Sequence, residues 1–161
     1  MTHADQIREC IPHQTDPDLG PVVNRYGCRV MCLLAIPQFI AGKCLTHDQV
    51  RTILDLGQAA DGVIGENMRT GTQEHELINM GFRLLGIQRN GRQVGWEPEH
   101  LINRTWQYMI VHWQTDGADG HFTLFDRAQK EIYDPHDPVQ AGYEINKKRI
   151  VRRLLYSTWP V

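Results

Sequence analysis

The chain has 161 residues, 41% hydrophobic and 22% charged, and 17 Lys and Arg against 19 Asp and Glu leave a net charge of −2. A chain of this length fits one domain with a sizeable core, and its near-neutral charge excludes the basic field that non-specific nucleic-acid binding needs. No run approaches the ~18 apolar residues of a membrane span, and the polar N-terminus lacks the apolar segment of a secretory signal.

Residues 1–20 carry loop chemistry at Pro12, Asp16-Pro17 and Leu19-Gly20-Pro21. They read as a polar N-terminal arm of a single domain over 1–161, with a short helix over 4–9. Asn24-Arg25-Tyr26-Gly27 reads as a turn into a helix over 28–41, with Pro37 as a bend and Gly42 as a stop. Leu33, Leu34, Ile36, Phe39 and Ile40 cover most of its circumference, so this helix is expected at the centre of the core. Thr46 and Gln49 form a capping box for a helix running to Leu56 and stopping at Gly57. A short amphipathic helix is expected from Thr72 to about Gly81.

From Phe82 onward the pattern turns to strands. One is expected over 82–87, followed by a hairpin turn at Asn90-Gly91 and a return through Gln93-Val94-Gly95-Trp96. One or two helical turns are expected over 97–103. Strands follow over 108–113, 121–125, 131–133 and 151–156. Helices first and an antiparallel sheet after is an α+β layout.

Three residues carry a candidate chemistry, in the chain order Cys28, His121, Asp134. A cysteine is a nucleophile as thiolate, and a helix N-terminus favours negative charge there. Cys28 stands at that position, whereas Cys32, one turn on, has apolar neighbours and reads as core. His121 opens a strand after the polar loop 114–120, and imidazole titrates in the range useful for proton transfer. Asp134 ends the neighbouring strand, where a carboxylate can fix the imidazole tautomer and stabilise its cation. His112 is a rival base but reads as a sheet residue. An acyl-transfer site also needs an oxyanion donor. The Cys28 N–H is one candidate and Asn24 the nearest upstream amide side chain, with Gln14 further off.

The segment Asn24-Arg25-Tyr26-Gly27-Cys28-Arg29-Val30-Met31-Cys32-Leu33-Leu34-Ala35-Ile36 resembles the nucleophile helix of bacteriocin-processing, double-glycine leader peptidases. The block Met109-Ile110-Val111-His112-Trp113, Gly120-His121-Phe122-Thr123-Leu124-Phe125 and Ile132-Tyr133-Asp134-Pro135 is similar to their strand–loop–His–strand–Asp-Pro block. The resemblance implies a papain-like cysteine peptidase fold with Cys28 as nucleophile, His121 as base and Asp134 as third member. It breaks at Val22, which stands where that family carries its oxyanion glutamine, and no transporter segment is attached.

The expected function is a cysteine peptidase or amidase acting on a peptide or protein substrate, without cofactor, metal, nucleic-acid or membrane partner. Alternatives are a catalytically degenerate binding module on the same fold and a cell-wall stem-peptide hydrolase. A metal site built from His112, His121, His136 and Asp134 or Asp137 is the least favoured, because strands rarely give such a set tetrahedral geometry. Cys10, Cys28, Cys32 and Cys44 contain no CxxC pair, and with no secretory signal they read as reduced thiols in a cytoplasmic protein. The basic residues Lys147-Lys148-Arg149 and Arg152-Arg153 read as a solvated edge.

Overall fold

The computed structural model describes residues 2–96 and 105–161, so the helical turns expected over 97–103 lie outside the described residues. Helix α1 (His3–Cys10) begins at a capping box formed by Thr2 and Asp5. Its inner face, led by Ile7, packs on the central helix, and Ile11 and Leu19 are also buried. Residues 2–20 are therefore built into the body rather than forming a loose arm. Cys10 is bonded to Cys44 with Cα atoms 5.9 Å apart, so of the four cysteines only Cys28 and Cys32 are free thiols. This corrects the expectation of four reduced thiols. The pairing is invisible to spacing rules because the two residues meet only after α1 docks.

A 3-10 turn (Pro17–Leu19) leads into α2 (Pro21–Tyr26), which meets α3 (Cys28–Ala41) at Gly27. A Cβ on Gly27 would sit 2.6 Å from the Val23 carbonyl oxygen, so the corner between the two helices requires glycine. Residues 30–36 are at most 1% exposed, which makes α3 the central helix, as its all-round apolar surface predicts. It continues through Pro37 and ends at Gly42 in a left-handed conformation (φ 65°). Helix α4 (His47–Ala59) starts at the Thr46/Gln49 capping box and runs past Gly57. Gly57 is no terminator. Its missing side chain makes room for Ile64, whose Cδ1 lies 2.8 Å from where a Cβ would stand.

After a second 3-10 turn (Glu66–Met68), α5 (His75–Leu84) packs against α3, with Gly81 against the Pro37 ring. The first half of the strand expected over 82–87 is thus helix. Leu77, Ile78, Gly81 and Phe82 form one buried helical face, and that period overrides the local strand pattern.

The sheet comprises β1 (Arg89–Trp96), β2 (Tyr108–Gln114), β3 (His121–Asp126), β4 (Glu131–Tyr133) and β5 (Arg149–Pro160), ordered β1-β5-β2-β3-β4 and antiparallel throughout. A short α6 (Pro138–Ala141) lies between β4 and β5. Asn90-Gly91 is not a hairpin turn but part of β1. Gly91 N–H donates to the Asn79 side chain (3.0 Å), and a Cβ there would meet Thr158 and Ile78 at 2.9 and 3.0 Å. The glycine lets α5 approach the sheet. Alternation along β2 puts Ile110 in the main core and Met109 and Val111 in a second cluster with Trp106 and Leu155. The architecture is α+β, with α3 packed against β3.

Candidate active site

Three elements deliver the candidate triad. Cys28 is the first residue of α3, and His121 is the first residue of β3. Asp134 follows β4 directly, one position beyond Tyr133, and β4 pairs with β3. The histidine Nε2 lies 2.7 Å from Asp134 Oδ1. The contact expected between these neighbouring strands is made.

The carboxylate has two further partners. Asp134 Oδ1 also accepts from the His136 N–H (2.9 Å), and Oδ2 accepts from Lys147 Nζ (2.7 Å). Burial alone raises its pKa, but hydrogen bonding and charge from His121, then Lys147 and the His136 N–H, hold the carboxyl at about 2. An ionised Asp134 can only accept, so the neutral imidazole carries its proton on Nε2 and leaves Nδ1 as the basic nitrogen. Lys147 was hidden in a basic run that reads as a solvated edge. Its role appears only once the chain after α6 returns to β4.

The thiol is buried, with Cys28 9% exposed. Burial pushes it up to about 11. Backbone N–H groups of Phe122, Arg29 and Cys28 itself act in the opposite direction, and the Asp134 charge adds to the rise. Cys28 sits in the open first turn of α3, where the cap residue Gly27 offers no competing side chain, and it shares a cavity wall with Gly120 and Phe122, the two residues that flank His121. The helix start therefore lowers the thiol less than desolvation lifts it. At rest Cys28 is a buried, protonated thiol, and His121 is oriented by Asp134.

Cys28, Gly120 and Phe122 line one cavity of about 400 Å³, together with Asn67, Met68 and Thr70. Asn67 and Met68 both have positive φ (54° and 57°), a costly backbone for non-glycine residues and one that clusters at ligand sites. Arg29 forks onto Glu74 Oε2 (3.1 and 2.8 Å). Glu74 also accepts from Thr70 (2.8 Å) and from the buried Tyr156 hydroxyl (2.7 Å). This network ties the head of α3, the cavity wall and β5 together. A single arginine at the start of so apolar a helix was the sequence signal for a buried acidic partner.

Asn24 is engaged elsewhere. Its Nδ2 donates to the Gln14 and Asp16 carbonyls (2.6 and 2.9 Å), and Gln14 Nε2 donates back to the Asn24 carbonyl (3.1 Å). The pair staples the N-terminal segment to α2, and neither side chain lines the cavity. The remaining oxyanion candidate is the Cys28 N–H at the head of α3. Cys32 is fully buried and His112 stacks on Phe122 at 4.3 Å, as core and sheet residues do. Trp106 belongs to the second core cluster. Among the described residues, no three metal-ligand side chains converge.

No family model, curated protein or solved structure matches the chain.

Proposed function

We propose that the chain is a cysteine hydrolase of papain-like arrangement that cleaves a peptide or amide bond through Cys28, His121 and Asp134. The reading rests on the 2.7 Å contact between His121 and Asp134, with Gly120 and Phe122, the residues on either side of His121, lining the cavity that Cys28 borders. A nucleophile at the head of a central helix, facing a sheet that carries base and carboxylate, is the arrangement that nucleophilic acyl transfer requires.

The chemistry runs as proton transfer coupled to attack. The Cys28 proton moves to His121 Nδ1 as the sulfur attacks the carbonyl carbon, and the oxyanion is received by the Cys28 N–H. His121 returns that proton to the leaving amine, so the C–N bond breaks and a thioester remains. His121 then takes a proton from water, whose oxygen attacks the thioester. Release of the carboxylic acid restores the thiol. Asp134 stays ionised throughout and stabilises the imidazolium.

The test is labelling by a substrate-like acyl probe. Wild type should label, and Cys28→Ala and His121→Ala should not. Equal labelling of all three proteins sinks the proposal.

A second reading is a catalytically degenerate binding module. It is favoured by the thiol raised to about 11 and by the engagement of Asn24 away from the cavity. Both readings give slow reaction with iodoacetamide at neutral pH. They part on the acyl probe, which a degenerate site leaves unreacted in the wild type.

A further inference from the structure

The wall of the Cys28 cavity is strongly one-signed. Four of its residues are arginines (Arg25, Arg29, Arg69 and Arg152), against Asp119 as the one acidic residue lining it. Arg29 is neutralised by Glu74. Arg25, Arg69 and Arg152 have no ion-pair partner among the described residues. Arg25 comes from α2, Arg69 from the segment after the second 3-10 turn, and Arg152 from β5. Three separate parts of the fold thus bring uncompensated guanidinium groups to one concave wall.

The local field acts on groups already there. His112, paired with Arg152 across β2 and β5, is pushed below its ordinary pKa by burial and then by Arg152 and Arg29, against a hydrogen bond to the Asp119 backbone. The whole chain is by contrast slightly acidic, so the wall is a local concentration of positive charge rather than part of a basic surface. Guanidinium forks bind carboxylates in two-point, charge-assisted geometry, and a cavity focuses such a field.

We infer that this cavity binds a carboxylate of the substrate beside the scissile bond, so that the hydrolase takes peptides bearing an acidic side chain or a free C-terminus at that position. The inference rests on the proposed hydrolytic role of Cys28 for what is cut, but not for what is bound. Arg25, Arg69 and Arg152 are the specificity residues. All three side chains belong to exposed residues, so replacing them leaves the core intact.

Binding is measured by calorimetry on the full-length Cys28→Ala protein, which cannot turn over, with three short capped probes. These are Ac-Ala-Glu-Ala-amide, Ac-Ala-Gln-Ala-amide and Ac-Ala-Gln-Ala free acid. One of the two acidic probes should bind at least roughly tenfold more tightly than the neutral one at low salt, with the preference shrinking as salt is raised. The Glu probe winning assigns a side chain, and the free acid winning assigns a chain terminus. The preference should vanish when Arg25, Arg69 and Arg152 are all replaced by Gln, in a variant whose circular dichroism matches the parent. Equal affinity for all three probes, no measurable binding of any, or a preference that survives the triple replacement overturns the inference. Failure of acyl-probe labelling with acid selectivity intact overturns only the hydrolase reading.

Discussion

Gly120 fixes where His121 starts. Its φ of +70° belongs to glycine, and a Cβ would stand 2.6 Å from His112 Nε2 and 2.8 Å from the Trp113 carbonyl oxygen. Gly120→Ala should therefore cost about 1–3 kcal/mol, and acyl-probe labelling should fall with it, because the loop must shift the histidine to relieve the clash. Thermal unfolding and labelling measured on one preparation check both halves, and labelling at the wild-type rate would show that the loop tolerates the side chain. Asp134 makes a pH prediction. Its folded pKa of about 2 lies below the ordinary 3.8, so its contribution, about 2 kcal/mol, is complete above pH ~4 and drains away as pH falls from ~4 through ~2. Asp134→Asn should flatten that acid limb in denaturant titrations run from pH 6 to 2. A limb of unchanged slope would place the titrating group elsewhere.

At the level of elements, the chain was read best where one local rule was enough. The bounds of α3, the Thr46/Gln49 capping box and the strand Glu131–Tyr133 follow from periodicity, a cap and short apolar runs. Reading failed where a glycine serves packing rather than turning. Gly57 and Gly91 look like punctuation along the sequence, yet each admits a neighbouring side chain in space. The order Cys28, His121, Asp134 was visible, but the groups that surround it were not. Lys147, Glu74 and the arginine wall come from distant segments whose meeting depends on the sheet order. Glu74 is the joint among them. Its carboxylate, with Arg29, forms an ion pair whose side chains are 11% and 18% exposed. Glu74→Gln leaves a largely buried guanidinium without its counter-charge and should cost about 3–5 kcal/mol. Adding Arg29→Gln should recover part of that loss in a double-mutant cycle read by chemical denaturation, whereas strict additivity would mean that the two groups are not coupled.

For the whole molecule, the Cys10–Cys44 bond closes a loop with a sequence separation of 34 and pins α1 to the chain that follows α3. A loop of that size is worth about 3–4 kcal/mol in the chain-entropy account, so the Cys10→Ser, Cys44→Ser double variant should melt well below wild type. Reductant should lower the wild-type melting temperature and leave the double variant unmoved. Identical melting of both proteins would show that α1 docks without the covalent tie. The bridge also bears on the free thiol at the head of α3. Surroundings that keep one sulfur pair joined also attack exposed thiolates, converting them to sulfenic acid or capping them with small thiols. Burial pushes the Cys28 thiol up to about 11, so it is almost wholly protonated at neutrality. A buried, protonated sulfur is a poor target for such oxidants, as it is for an indiscriminate alkylator.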